Sequence, residues 1–402
     1  MKTQMDTRES GSIEGPGLAV ADRKWISPEE FFREVVSVTG KVHSGCNLNC
    51  RYCSEECHGP DSAAMPLQTY RRLSDLAIRR SRYPRLGLEF HGGEPLLLPD
   101  QWFRRAIEYA AALAKEHGKT LFHPLQTNAT LLTPQRIDTL HELGIKFGVS
   151  LDGPPHLNDV ERGGGAKVVE AVRYMLERGI RVGLIAVMNR VTCNRMPEVM
   201  AFFHHDLGLK DFRLLFMNPQ GRGGEVEMLT AEQMLAGFRD VFEYMLRHEC
   251  AIVEGTVAIW VNRFVHGRTN DLIPSCWGHS CVAGIHRVAV DPRGDVYSCG
   301  CAIGWPKHRL GNIDTGFDAE YLAAALEDLH KKDRWYVRCF GCAAYRICSQ
   351  GCTISKRISP EFREAECKFT RMFYTYLHEN PDKTRKIHEQ LSKVTHGFGP
   401  PV

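Results

Sequence analysis

The sequence predicts an α/β protein built on a parallel sheet of six strand–helix units. From about residue 38 to residue 248, short apolar runs of β-like composition alternate with amphipathic segments of helical period. One helical segment follows each apolar run, as right-handed crossovers between parallel strands require. Polar and glycine-rich motifs follow the strands, at the edge where parallel α/β folds carry their active sites. Periodicity alone leaves open whether the sheet closes partly into a barrel or is doubly wound.

The six strands are predicted from short runs rich in β-branched and aromatic residues. They are expected at 39–43, 86–91, 121–127, 146–151, 181–188 and 211–217. The helical segments are expected at 68–82, 100–117, 134–143, 166–179, 195–207 and 230–248. The first four strands lead into "SGCNLNC", "GGEP", "NAT" and "DGPP", so these motifs should meet at one edge of the sheet.

Composition changes along the chain predict five segments. The predicted segments are a flexible N-terminal arm (1–35), the strand–helix alternation (36–225), a helical bridge (226–275), a Cys-, Gly- and Pro-rich domain (276–370), and a C-terminal helix with a tail (371–402). The density of cysteines in the fourth segment predicts a domain that metal holds together.

Composition and charge predict a soluble cytoplasmic protein. Of the 402 residues 43% are hydrophobic, and 51 Lys and Arg face 48 Asp and Glu, a net charge of +3. This balance gives no electrostatic reason to expect binding to nucleic acid or to a membrane surface. Neither a signal peptide nor a run long enough to span a bilayer is visible. Because the cytoplasm keeps thiols reduced, the 15 cysteines are expected to bind metal rather than form disulfides.

The stretch "SGCNLNCRYCSEECHG" (44–59) holds four cysteines. Cys46, Cys50 and Cys53 are spaced C-x3-C-x2-C, and a set that includes Cys57 gives the mirrored spacing. A structural zinc site usually takes two separated C-x2-C pairs. Thiolates on one tight loop can instead reach different irons of a cubane cluster. The spacing therefore favours an iron–sulfur cluster over zinc, and on spacing alone the ligand set stays open.

The motifs resemble those of radical S-adenosylmethionine (radical SAM) enzymes. "CNLNCRYC" is similar to the family signature C-x3-C-x-aromatic-C, with Tyr52 at the aromatic position. The companion motifs occur in the family's order as "HGGEPLL" (91–97), "QTNATLL" (126–132) and "VSLDGP" (149–154). The resemblance covers roughly residues 38–220 and implies a partial (β/α)6 TIM-like barrel.

The resemblance also implies a [4Fe–4S] cluster on Cys46, Cys50 and Cys53, with one iron left open for SAM and Cys57 as a bystander. Glu94 is then expected to accept hydrogen bonds from the SAM ammonium. At Gly92 and Gly93 the resemblance implies that the backbone comes close to SAM. Ser150 and Asp152 are expected to bind the ribose, and Tyr52 is expected to lie near the adenine. Arg162 is expected to pair with a carboxylate, and Asn128 to make a further contact with SAM.

The second set of cysteines resembles the SPASM domain over about residues 276–370. Cys281, Gly294 and Cys299 match the domain's pattern C-x9–15-G-x4-C, and the last two lie in the hairpin "VAVDPRGDVYSC". The run "CFGCAAYRICSQGC" follows with the spacing C-x2-C-x5-C-x3-C. The resemblance implies two auxiliary [4Fe–4S] clusters with interleaved ligands. One would use Cys276, Cys281, Cys299 and Cys352, and the other Cys339, Cys342, Cys348 and Cys367. A double zinc module is the alternative. Of the left-over cysteines, Cys193 and Cys250 are expected to be ordinary thiols, and Cys57 and Cys301 to be near the ligands.

In function, the resemblance implies that SAM is cleaved reductively to a 5′-deoxyadenosyl radical, which takes hydrogen from a peptide or protein side chain. The motifs are similar to those of the FxsB-type peptide-maturase branch. This implies an intramolecular cross-link, cyclophane or thioether, in a ribosomally synthesised precursor peptide. Gly300 occupies the position where sulfatase-maturating enzymes have an Asp base. The alternatives are oxidation of Cys or Ser to formylglycine, peptide epimerisation, or a non-catalytic electron-transfer protein; the catalytic residue is unknown.

The expected partners are a peptide or protein substrate and an electron donor such as flavodoxin or ferredoxin. About 35 residues precede the first strand, so leader recognition is expected from a separate protein or from the barrel itself. Two features are expected to be bystanders. "GRGGE" (221–225) reads as a flexible loop, and His204 with His205 as solvent-facing residues of a helix without a partner.

Overall fold

The computed structural model describes residues 25–55, 59, 62–267, 281–330, 339, 341–348 and 351–394. The predictions for the arm through residue 24, for Cys57 and for Cys276 lie outside these residues. Within them, ten strands form one sheet, and two short strands pair separately.

The six predicted strands are present as the second to seventh strands of the chain. They are β1 (Trp25–Ile26), β2 (Ser37–His43), β3 (Arg85–Gly92), β4 (Thr120–Thr127), β5 (Ile145–Ser150), β6 (Val182–Met188), β7 (Asp211–Phe216), β8 (Val253–Glu254), β9 (Arg287–Val290), β10 (Asp295–Tyr297), β11 (Arg309–Asn312) and β12 (Phe317–Asp318). The strands from β2 to β7 pair in parallel in chain order, which confirms the predicted parallel sheet.

The helices lie between the strands as the sequence predicts. They are α1 (Pro28–Phe31), α2 (Leu67–Arg80), α3 (Asp100–Glu116), α4 (Pro134–Glu142), α5 (Pro155–Glu161), α6 (Gly165–Glu177), α7 (Met196–Ala201), α8 (Ala231–Arg247), α9 (Gly255–His266), α10 (Ala319–His330) and, towards the C-terminus, Thr353–Ile358, Pro360–Glu379 and Pro381–Leu391. Only α5 falls where no helix was expected within the barrel segment, directly after the "DGPP" motif.

Side-chain caps explain where several helices begin. Thr133 accepts from the backbone N–H of Arg136 at the start of α4. At the start of α8, Thr230 and Gln233 form a reciprocal capping box. Such caps satisfy backbone donors that have no partner within the helix.

The sheet is a partial barrel extended at both ends. Its order is β11-β10-β9-β2-β3-β4-β5-β6-β7-β8 within the described residues, so β2 and β7 are not neighbours. This order confirms the partial (β/α)6 barrel. The hairpin β9–β10 joins the barrel because β9 pairs in parallel with β2, with Ser37 opposite Arg287. This hairpin of the Cys-rich segment therefore lies beside the strand that leads into the first cysteine loop.

The two faces of the sheet differ in polarity. In β3, Leu86, Leu88 and Phe90 are buried, whereas the alternate residues Glu89 and His91 are half-buried. Because alternate side chains of a strand point to opposite faces, one face packs against helices and the other is a polar interior face. None of the helices in the described part of the chain combines the length and apolar composition of a bilayer crossing.

The expectation that His204 and His205 lack a partner is wrong. The hydroxyl of Tyr244 lies 3.2 Å from His204 Nδ1 and 3.1 Å from His205 Nε2. The ring of His248 contacts both histidines. The sequence could not show this contact because His248 is brought in by the far end of α8.

Candidate active site

The loop after β2 brings the first three cysteines to the carboxyl edge of the sheet. Cys50 is 8% exposed, and the other two are half-buried. The backbone N–H of Leu48 donates to Cys46 Sγ at 3.4 Å, and that of Cys53 donates to the carbonyl of Cys50 at 3.3 Å. Burial raises the pKa of the Cys50 thiol to about 11, and burial also raises the pKa of Cys46. A positive metal centre at these sulfur atoms would oppose this effect of burial and favour the thiolates.

The three thiols fit a multi-iron cluster better than a single zinc ion. Around one zinc, with Zn–S near 2.3 Å, sulfur atoms lie about 3.8 Å apart. The sulfur atoms of Cys46, Cys50 and Cys53 do not all lie within 4.8 Å of one another. Wider spacing on one loop suits a cluster whose irons are bound separately.

Gly92 and Gly93 hold the end of β3 against the cysteine loop. The N–H of Gly93 donates to the carbonyl of His43 at 2.9 Å, and that of Glu94 donates to the carbonyl of Gly45 at 2.8 Å. A Cβ on Gly92 would lie 2.3 Å from the His43 oxygen, and one on Gly93 would lie 2.1 Å from the Gly45 oxygen. These glycines are therefore required for backbone packing, and their approach to SAM remains a prediction.

Glu94 ties the ends of β3 and β4 together. Its side chain is fully buried and accepts from Leu96 N at 2.9 Å, Thr127 Oγ1 at 2.7 Å and Asn128 N at 2.8 Å. Burial raises the pKa of Glu94, and these hydrogen bonds oppose that shift. Sequence reasoning missed Thr127, although it stands in the "QTN" motif.

Asn128 reaches the cysteine loop directly. Its Nδ2 donates to Asn47 Oδ1 at 2.9 Å and lies 3.7 Å from Cys46 Sγ, within hydrogen-bonding range of a thiolate. Its Oδ1 accepts from the hydroxyl of Thr130 at 2.7 Å. The amide is thus oriented with its donors towards a predicted cluster ligand.

Tyr52 links two charged residues that come from other parts of the sheet. Its hydroxyl donates to Asp152 Oδ2, and Arg162 Nη1 donates to the same hydroxyl at 2.9 Å. Burial raises the pKa of Asp152, and the positive charge of Arg162 opposes the shift. The structure therefore groups three of the predicted SAM-binding residues into one hydrogen-bonded set beside Cys50.

Asp152 and Ser150 differ in what they offer to a ligand. Asp152 is 1% exposed, and its Oδ1 also accepts from Val187 N at 2.9 Å. Asn189, which sequence reasoning missed, adds a longer contact to Oδ2 at 3.5 Å. Ser150 is half-buried and accepts from Gln126 Nε2 at 2.8 Å, which leaves its own proton available. Ribose binding by Ser150 and by Asp152 stays a prediction.

The "GRGGE" segment is a 3-10 turn packed on the cysteine loop, so the expected flexible loop is wrong. Arg222 Nε donates to the carbonyl of Cys50 at 2.9 Å. The N–H of Gly223 donates to the carbonyl of Cys53 at 3.3 Å. A Cβ on Gly221 would lie 2.8 Å from that same oxygen. The glycines of this motif were the available signal, because close backbone packing requires them.

The polar interior face continues from the cysteine loop along β2 and β3. Thr39 Oγ1 donates to Glu89 Oε2 at 2.8 Å, and Lys41 Nζ lies 3.1 Å from Glu55 Oε2. A Cβ on Gly300, from the Cys-rich segment, would lie 3.5 Å from the Thr39 side chain. Position 300 therefore lies over this polar face.

Several cysteines of the second set lie close to one another. The thiol of Cys301 is in hydrogen-bonding contact with those of Cys299 and Cys352. Cys348 and Cys367 both act electrostatically on the buried Lys356. The other described members are Cys281, Cys339 and Cys342, all half-buried. The two ligand sets stay a prediction, and Cys301 is the extra thiol beside one of them.

Comparison with known proteins gives a family match over the first domain. The family described as "Radical SAM superfamily" matches residues 41–203. A serine-type anaerobic sulfatase-maturating enzyme of Bacteroides thetaiotaomicron is 24% identical over 324 residues, 75% of this chain and 76% of that protein. Mycofactocin maturase MftC of Mycobacterium ulcerans is 26% identical over 332 residues, 80% of this chain and 84% of that protein.

Solved structures give the same fold. The enzyme anSMEcpe with bound AdoMet and the Cp18Cys peptide has a TM-score of 0.71 at 21% identity, over 89% of this chain and 99% of that one. SuiB of Streptococcus suis bound to its precursor peptide SuiA has a TM-score of 0.58 at 16% identity, over 80% of this chain and 72% of that one. At these identities the likeness is one of fold.

Proposed function

The chain is a radical SAM enzyme whose radical SAM domain spans residues 41–203, and on this premise we propose that it installs an intramolecular cross-link in a ribosomally synthesised peptide. When bound, SAM and the cluster supply a carbon radical that removes hydrogen from an unactivated C–H bond. The bond formed would be of cyclophane or thioether type. One substrate hydrogen atom would go to that radical, and the second hydrogen would leave as a proton while its electron passes to one of the auxiliary clusters proposed below. The similarity to peptide and protein maturases supports a peptide substrate.

In this proposal the chain's own residues hold and orient the cofactor. Cys46, Cys50 and Cys53 would ligate the cluster, and Asn128 would donate to the Cys46 sulfur. Ser150 would bind the ribose. Asp152 would act indirectly: it would accept a hydrogen bond from Tyr52 and so hold Tyr52 and Arg162 in position beside the cysteine loop.

Two further clusters and an external electron source complete the proposal. The auxiliary [4Fe–4S] clusters would be held by the two sets of SPASM cysteines inferred from the sequence, one of which includes Cys276. Flavodoxin or ferredoxin would supply the electron. A separate protein would present the leader peptide where the barrel does not.

Gly300 is the observation that carries the choice of a cross-link. It lies over the polar face at Thr39 and brings no side chain that could take a proton. In a cross-linking enzyme, the proton that leaves the substrate can pass to the substrate's own acidic group or to water. A formylglycine-forming enzyme needs a base at the oxidised Cys or Ser.

Formylglycine formation is the second candidate, because one observation favours it. Glu89 places a carboxylate on the same polar face, 2.8 Å from Thr39 Oγ1. This carboxylate could replace a base contributed from position 300. The similarity to sulfatase-maturating enzymes points the same way.

The test is mass spectrometry of a peptide encoded beside the gene, after anaerobic incubation with reconstituted enzyme, SAM and a low-potential reductant. A cross-link removes two hydrogens and suppresses fragment ions between the joined residues. Serine oxidation also removes two hydrogens, but its aldehyde reacts with hydroxylamine and its fragment ions remain. Epimerisation leaves the mass unchanged in ordinary water, whereas in heavy water it adds one deuterium to the peptide. An aldehyde or an unchanged mass would overturn the cross-link proposal.

A further inference from the structure

Three histidine rings meet away from the cysteine loop. His204, His205 and His248 each offer one ring nitrogen, and these nitrogens all lie within 4.8 Å of one another. The first two come from the helical segment before β7, and His248 ends α8 just before β8. Because helices of parallel α/β units run back to the starts of the strands, this group lies at the edge opposite to the SAM-facing motifs.

A local departure from α-helical geometry turns two consecutive histidines to the same neighbour. After α7 the chain continues in a π-helical turn, Phe202–Asp206, closed by a bond from Leu207 N to the Phe202 oxygen at 3.0 Å. Consecutive α-helical side chains point about 100° apart, and the wider π turn reduces this divergence. The ring centroids of His204 and His205 lie 4.1 Å apart. Single π turns of this kind are frequent at functional sites.

Tyr244 holds the rings in place. Its hydroxyl lies between His204 Nδ1 and His205 Nε2, at 3.2 and 3.1 Å. Its ring stacks on His248 with centroids 4.1 Å apart. Metal-binding imidazoles generally have a second group that fixes ring orientation, and this phenol has the position to do so.

Solvent can reach the three rings, and two basic residues act against a bound cation. The charge of Lys210 acts on His204 and that of Arg247 acts on His248, so both would repel a cation and reduce the affinity. His205 is exposed and the other two are half-buried, which leaves a path for an ion.

We propose that His204, His205 and His248 form a binding site for a divalent first-row transition metal ion, with zinc as the expected occupant. Imidazole nitrogen suits zinc, nickel and copper. Three protein nitrogens with water in the fourth position make a common open zinc site. At Zn–N distances of about 2.0–2.1 Å the nitrogens would be about 3.4 Å apart, so modest ring rotations close the site. The ion would connect the π turn to the end of α8 and stabilise the native state.

The test is zinc binding by the cluster-loaded enzyme, in which iron already occupies the ligand thiols. Enzyme washed anaerobically with a mild chelator is dialysed against zinc chloride, and zinc and iron per chain are measured by mass spectrometry. We expect the wild type to hold one zinc more than the double variant His204→Gln/His248→Gln at equal iron. We also expect zinc to raise the Tm of the wild type alone. His378→Gln, which changes an exposed histidine on Pro360–Glu379, is the control and should behave as the wild type.

Equal zinc in the wild type and the double variant would overturn the proposal. Because both of those rings are half-buried, the double variant could fail to fold, and His205→Gln then decides. His205 is exposed, so its replacement should leave folding and iron content intact. We expect zinc affinity to fall about tenfold or more in this variant. An unchanged affinity for zinc would also refute the site.

Discussion

Tyr52 and Asp152, a hundred residues apart in the chain, share a buried hydrogen bond at the carboxyl edge of the sheet. Tyr52 lies between the predicted cluster ligands Cys50 and Cys53, and Asp152 lies just after β5. Arg162 donates to the same phenol and lies with its guanidinium carbon 5.9 Å from the ring centroid. The bond therefore joins the cysteine loop to the far side of the barrel and sets where the loop can lie.

Replacing Tyr52 by Phe should loosen this connection. The change leaves the ring but removes the hydroxyl between two charged groups, of which Asp152 is fully buried. We expect the free energy of unfolding to fall by about 1–3 kcal/mol, because a buried acceptor loses its donor. We also expect slower formation of 5′-deoxyadenosine. Urea unfolding and a product assay measure the two effects.

Tyr109→Phe is the matched control. Its hydroxyl donates to both oxygens of Asp75 at 3.0 Å on the surface formed by α2 and α3. We expect a loss below about 1 kcal/mol and normal 5′-deoxyadenosine formation. If the two variants lose stability and product equally, the bond between Tyr52 and Asp152 has no special role.

Gly93→Ala should displace the cysteine loop. The added Cβ would lie 2.1 Å from the Gly45 oxygen, a backbone atom that cannot rotate away. We expect a loss of about 1–3 kcal/mol from overpacking, together with poor retention of the SAM-binding cluster. Gly59→Ala, at a position with open space around it, should change neither stability nor iron content. Normal iron and stability in Gly93→Ala would contradict this explanation of the motif.

The sequence predicted those parts of the fold that depend on local patterns. The six barrel strands were found because each has its own apolar run, and the helices because each has its own amphipathic period. The pairing of β9 with β2 could not be predicted, since nothing in either strand encodes a contact between Ser37 and Arg287. Strand pairing between distant segments depends on the whole fold.

The candidate site shows the same division. Motifs identified the residues at the strand ends, but they could not show which groups also make contacts within the protein. Asp152 was predicted as a ribose ligand from its motif, and its contacts with Tyr52 and Val187 could not be read from that motif. Arg222 looked like part of a flexible loop, yet it donates to the Cys50 carbonyl. Both facts arise from contacts between residues far apart in the chain.

Iron content should separate ligands from neighbouring thiols. The three proposed clusters would hold about twelve irons per chain, so Cys46→Ala should lower the content by about four and abolish 5′-deoxyadenosine formation. Cys352→Ala should also lose up to about four irons, whereas Cys301→Ala should lose none. Cys301 and Cys352 form a matched pair, because their thiols are in hydrogen-bonding contact with each other. Iron loss in Cys301→Ala would make that thiol a ligand.

His123 should make stability depend on pH. Its ring is 6% exposed on β4 and stacks on Phe90 with centroids 5.8 Å apart. Burial lowers the pKa of His123 to about 4, whereas an unfolded histidine has a pKa of about 6.5. As the pH falls below 6.5, the His123 ring becomes protonated in the unfolded chain but stays neutral in the folded chain. The free energy of unfolding therefore decreases.

Between pH 7 and 5.5 this group should lower the free energy of unfolding by about 1.2 kcal/mol. His123→Leu removes the titrating ring, keeps the site apolar, and should make the pH dependence shallower by that amount. His378→Leu removes an exposed ring instead and should leave the slope as in the wild type. Urea unfolding in this range, with iron release followed in parallel, measures the difference. If the slope of His123→Leu equals that of the wild type, the buried ring is not the source of the acid sensitivity.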